Sequence, residues 1–221
     1  MFDVEAALTE VLSELGYRRR KKNVCRAEWS TADVEHFLRF QRWGIPKKLS
    51  CDFGIRNQRA QLFSSEEIIK YGGPIFGQMI RHDKRNGCWM NFPLGKHVDW
   101  NFRWALELET LSESEFKNRI RLAIEGWLLP FITQVVNRAD LLELLLTDVE
   151  PCPWFNNNGA IRAAQIVCLA RQIGWNPDDI RSALEPFARK IAVGFSKEGD
   201  PTHYVEDLIR DSDGSVLARA P

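Results

Sequence analysis

The sequence predicts an α+β fold: an N-terminal helix packed on an antiparallel sheet of about five or six strands, followed by a C-terminal helical layer. Three observations predict it. Apolar residues recur at helical spacing over residues 3–15, side chains alternate in character over residues 24–55, and helical periodicity returns after Thr110. No repeat or long linker divides the 221 residues. The expected organisation is a helix-plus-sheet lobe over 1–104, a helical lobe over 105–210 sharing its core, and a tail over 211–221.

Val4, Leu8, Val11, Leu12 and Leu15 give the first helix one apolar face, and Gly16 stands where a left-handed cap would end it. Four acids precede the first base at Arg18, so this segment reads as a helix of the mature protein and not as a signal peptide. "NVCRAEWS" is short and β-compatible. "VEHFLRFQRW" sets Val34, His36, Leu38 and Phe40 against Phe37, Arg39, Gln41 and Trp43. "KLSCDFGIRN" sets Leu49, Cys51, Phe53 and Ile55 on one face. Such alternation is that of antiparallel strands with one buried and one wetter face.

"SSEEIIKYGGP" suggests a capped helical turn ended at Gly72-Gly73-Pro74. "FGQMIRH" and "GCWMNF" read as strands around an Asn86-Gly87 hairpin turn, and "HVDWNFRWALELE" alternates before drifting toward helix. Beyond Thr110, Ser112 or Ser114 caps a helix with Phe116, Ile120, Ala123, Ile124 and Trp127 along one stripe. Pro130 is expected to interrupt it, with a second helix through "FITQVV". "NRADLLELLLTD" and "AIRAAQIVCLARQIG" read as further helices, with "PCPWFNNNG" a loop between them. Asn176 followed by Pro177 marks the start of another.

Five bases run unbroken from Arg18 to Lys22. In a strand, Arg18, Arg20 and Lys22 point away from Arg19 and Lys21, so the five cannot share one phosphate-binding face. The run fits a helix exit feeding an edge strand whose charges discourage edge pairing. Net charge is zero, but residues 1–104 hold 18 Lys/Arg against 12 Asp/Glu and the remainder the reverse. That asymmetry suits either an anionic partner or attraction between the halves. Five widely spaced cysteines fit no disulfide framework, which points to a cytoplasmic location with buried free thiols. No stretch approaches the length of a membrane span, so no membrane partner is expected.

Several pieces carry a family likeness: "LGYRRRKKNVCRAEW", "FLRFQRW", "LSCDFGI", "IRHDKRNGCWMNF" and the stretch from "WLLPFITQVV" to "LLELLL". Over roughly residues 5–190 this order resembles the uncharacterised bacterial family called domain of unknown function family 4304. Arg42 stands where that family usually shows Ser. The resemblance implies an α+β fold, no established activity, and by analogy a role beside bacterial toxin–immunity partners.

No motif for chemistry stands out. There is no nucleophile elbow, glycine-rich phosphate loop or H-E-x-x-H. His82, Asp83, Cys88, His97 and Asp99 lie near one another, but "HD" and "HVD" are not recurrent ligand spacings, so neither metal nor cofactor is expected. Cys25, Cys51 or Cys88 with His36 or His82 would make only an accidental thiol–imidazole pair. His36 reads as a half-buried strand histidine. Aromatic and basic residues together remain the best binding signal. Arg42, Trp43, Lys47, Lys48 and Arg103 form one candidate patch, and Trp154 and Phe155 in the "CPWFNNNG" loop a second. The expectation is a non-enzymatic module that binds another protein, immunity-like if the resemblance holds. Its alternatives are a nucleic-acid-associated protein using the basic first half and, least favoured, an enzyme of unrecognised type.

Overall fold

The computed structural model describes residues 2–21, 23–43, 47–67, 70, 90–93, 105–147, 159–188 and 201–217. It is α+β, as expected, and divides into two compact units. Met1–Ile55 with Met90–Val136 make the first, and Arg56–Trp89 with Asn137–Pro221 the second. Among the described residues, no helix is long and apolar enough to cross a membrane.

In the first unit, α1 (Val4–Glu14) starts at Asp3, whose carboxylate accepts from the backbone N–H groups of Glu5 and Ala6. It ends at Gly16, which has φ +75°. A Cβ on Gly16 would lie 2.8 Å from Trp29 Cζ3, and the Trp29 ring meets Tyr17 edge-on at 5.0 Å. Gly16→Ala therefore combines left-handed strain with a displaced indole. We expect it to cost about 2 kcal/mol in urea denaturation and to change the tryptophan emission. A variant as stable as the parent would show that the turn needs no glycine.

Six strands follow: β1 (Tyr17–Lys21), β2 (Val24–Ala27), β3 (Glu35–Trp43), β4 (Lys48–Arg56), β5 (Met90–Pro93) and β6 (Ala105–Glu107). Their order is β1-β2-β3-β4-β5, so β1 with its arginines lies at the end of the row. Residues Asp52–Ile55 of β4 pair antiparallel with β5, and Lys48–Ser50 pair antiparallel with β6. The basic run does not alternate simply. The register shifts between Arg19 and Lys21 against β2, so Arg20 sits in a bulge, a common feature of edge strands.

The buried face of the sheet carries Tyr17, Cys25, Leu38, Phe40, Leu49, Cys51, Phe53 and Ile55. His36 shares it and is 1% exposed, deeper than the half-burial expected from its strand position. On the opposite side Arg26 reaches Glu35 at 3.2 Å. Asp52, its carboxyl pushed up by burial, is pulled back by Arg39.

After a 3-10 turn at Leu108–Thr110 comes α3 (Glu113–Ala123). Ser112 and Glu115 form its capping box, with Ser112 N–H donating to Glu115 Oε2 at 2.8 Å. The helix is not interrupted at Pro130. It widens into one π turn at Ile124–Leu128 and continues through Leu129–Ile132. Pro130 has no N–H to give Gly126 and its ring would crowd that carbonyl; the wider turn carries the chain past it. No further helix runs through residues 134–136, which are turn and irregular backbone. Lys117 bonds Glu10 at 2.9 Å and Arg121 pairs with Glu14, fastening α3 to α1.

In the second unit, residues 58–67 form α2. It is capped by Asn57, whose Oδ1 accepts from Ala60 N–H at 2.9 Å. The helical turn expected within "SSEEIIKYGGP" is thus part of a helix that begins earlier, and the Ser64 and Ser65 hydroxyls bond back to Gln61 O inside it. α4 (Arg138–Leu146), α5 (Gly159–Gln172) and α6 (Pro177–Leu184) follow. Asn137 and Asn176 act as side-chain caps, and Pro177 opens α6. α5 is buried all round from Gly159 to Ala170, as befits a helix packed by both α4 and α7.

α7 spans Pro201–Leu217. Residues 211–217 are thus helical where a tail is expected from the sequence. Among its described side chains Tyr204, Leu208, Ile209 and Ser212 are buried, and Tyr204 Oη donates to Ala160 O at 3.1 Å. Gly72-Gly73-Pro74, the "FGQMIRH" strand, the Asn86-Gly87 turn and the "PCPWFNNNG" loop lie outside the described residues.

Candidate functional site

Within the first unit, a cavity of about 460 Å³ opens between α1 and one end of the sheet. Its floor is built from both layers. Leu8 and Leu12 descend from α1, while Cys25, Phe40 and Leu49 rise from β2, β3 and β4. The helix supplies its pair because positions four apart share a face. Phe40 and Leu49 lie on the inward-pointing set of their strands.

The rim is polar. Glu5 and Thr9 stand on the helix side, Arg19 and Asn23 on the β1–β2 side, and Gln41 and Arg42 at the end of β3. Thr9 Oγ1 donates to Glu5 O at 2.7 Å, and Arg19 reaches the Glu5 carboxylate at 3.4 Å. Arg42 is exposed. One guanidinium on the rim is thus matched by a carboxylate, and the other faces solvent.

Among the described residues the thiols are held in their protonated form. Burial pushes the Cys25 thiol up to about 11 against the pull of Arg19. Cys51 is likewise pushed well up by burial, and Cys168 in the second unit to about 12. All three remain thiols at neutral pH, whereas the nucleophile is the thiolate. His36 Nε2 donates to Val135 O at 3.1 Å, and its ring stacks against Phe53. Its partners are a carbonyl and a phenyl ring, which suit a core residue. Among the described residues no three His, Cys, Asp or Glu groups converge as a metal site. His82, Asp83, Cys88, His97 and Asp99 lie outside them.

The residues nominated from the sequence separate. Arg42 lines the cavity. Trp43 is the last residue of β3, and Lys47 is exposed just before β4. Lys48, placed by sequence on an open patch, is 6% exposed and sits 3.7 Å from its cross-strand neighbour Glu107. It fastens β4 to β6. Arg103, Trp154 and Phe155 lie outside the described residues. Arg18 pairs with Glu28, so the basic run spends two of its charges, Arg18 and Arg19, on neighbouring acids. Leu8, Thr9 and Phe40 escape sequence reasoning as site residues. Each carries only the pattern of an amphipathic helix or a half-buried strand.

No family model, no curated protein and no solved structure matches the chain.

Proposed function

We propose that the chain is a non-enzymatic protein-interaction module of the cytoplasm that receives its partner in the cavity between α1 and the sheet. The observation that carries this reading is the cavity itself. An apolar floor formed by Leu8, Leu12, Phe40 and Leu49 lies under a polar rim bearing Arg19 and Arg42. Sites that hold a partner side chain combine an apolar body with a few polar groups that orient it. The protonated thiols of Cys25, Cys51 and Cys168 favour binding over covalent chemistry and suit a reducing compartment. The likeness to domain of unknown function family 4304 adds a bacterial, immunity-like setting in which the partner is a toxin-class protein.

The test is capture from a lysate of the source cells by the tagged full chain, with and without nuclease. A protein partner is expected to survive nuclease and to be lost when Thr9→Trp or Asn23→Trp fills the cavity mouth from either wall. Both positions are exposed, so circular dichroism should show the fold intact. Loss of every partner on nuclease treatment would favour the nucleic-acid reading instead. Undiminished capture by both variants would remove the cavity from the function.

A further inference from the structure

We propose that the cavity recognises a peptide segment in which a large apolar side chain stands beside a carboxylate, with Arg42 as the carboxylate's partner. This rests on the interaction-module reading and gives the partner a chemistry. Leu12, Phe40 and Leu49 line the cavity yet are almost wholly buried. The apolar floor open to a ligand is therefore small, with half-buried Leu8 its most accessible part, and the space suits a single apolar side chain. At about 460 Å³ it has room for that and no more extended surface.

The charge balance of the rim then selects what accompanies the apolar group. Arg19 and Glu5 offset each other at 3.4 Å, which leaves Arg42 as the net charge. Among the described residues Arg42 has no hydrogen-bond or ion-pair partner. A guanidinium pairs best with a planar carboxylate through two parallel N–H···O bonds. A phosphate dianion would bring a second negative charge toward Glu5, so the single carboxylate is favoured.

The test uses the full chain with labelled leucine methyl groups and two synthetic peptides, acetyl-Gly-Ser-Phe-Asp-Gly-Ser-amide and its Phe-Asn counterpart. Titration of the Phe-Asp peptide should shift the methyl resonances of Leu8, Leu12 and Leu49. The Phe-Asn peptide should bind about fivefold more weakly. Arg42→Gln, at an exposed position, should bring the Phe-Asp peptide down to the affinity of the Phe-Asn one and leave the latter unchanged. Equal affinity of the two peptides for the parent chain would overturn the proposal, as would methyl shifts elsewhere or none at millimolar peptide. Should that happen while Thr9→Trp still abolishes partner capture, the interaction module stands and only its recognition chemistry falls.

Discussion

Replacing Arg162 by Ala will destabilise the folded chain by about 3 kcal/mol. This arginine is 8% exposed on the helix at the centre of the second unit. Its Nε donates to Leu145 O and its NH2 to Thr147 O, both at 2.7 Å. Those acceptors lie at the C-terminus of α4, where carbonyls lack partners within the helix and the dipole favours positive charge. The guanidinium also lies 4.5 Å from the centroid of the Phe187 ring, a contact worth up to about 2 kcal/mol once desolvated. Alanine removes the donors, leaves two carbonyls unpaired and opens a void. Arg162→Lys keeps the charge but cannot span both carbonyls, so it should lose about half as much. Urea denaturation of the full chain measures this as a lowered midpoint at unchanged slope. An alanine variant within about 0.5 kcal/mol of the parent would mean that the end of α4 finds other donors at no cost.

Arg162 also shows where sequence reading runs short. Within "AIRAAQIVCLARQ" an arginine marks a solvated stripe by the ordinary rule, and nothing nearby in sequence says that the end of another helix will absorb it. Features set by neighbours a few residues away were legible. These include the Gly16 turn, a serine cap near residue 112, the Asn176-Pro177 start and the alternation that buries Leu49, Cys51, Phe53 and Ile55. Features set by distant residues were not. Lys48 looks like a surface charge until β6 brings Glu107 beside it. The last helix hides because a buried Ser212 breaks its apolar series and Gly214 lies within it. Pro130 suggests a break because sequence cannot announce a π turn that accommodates it.

The candidate site divides along the same line. Arg42 was legible as a base beside a tryptophan in a strand end. The cavity it borders depends on where α1 rests on the sheet, a property of two layers together. Thr9 becomes interesting only once that placement is known.

Acidification from pH 6.5 to pH 4 will remove about 3 kcal/mol of stability through His36 alone. Burial holds this imidazole down at about 4, the donated bond to Val135 O only partly opposing the effect. In the unfolded chain it titrates near its ordinary value of 6.5. Between these two values the unfolded state binds more protons than the folded one, so stability rises with pH across the window. It is fully present above about 6.5, falls as the unfolded imidazole becomes protonated, and levels off below about 4, where both states carry the charge. Asp52 and Glu67, whose carboxyls burial pushes up, work in the opposite sense and mask part of the loss. The measurement is therefore a comparison. His36→Gln preserves a donor for Val135 O but cannot titrate, and the two carboxyls contribute equally to both proteins. Urea denaturation at intervals across the window should show the parent losing stability relative to His36→Gln by about 3 kcal/mol. Parallel pH profiles would mean that water reaches the imidazole and that the buried face of the sheet is not closed at His36. The sheet would then owe less of its stability to a dry core than the burial of Leu38, Phe53 and Ile55 around it implies.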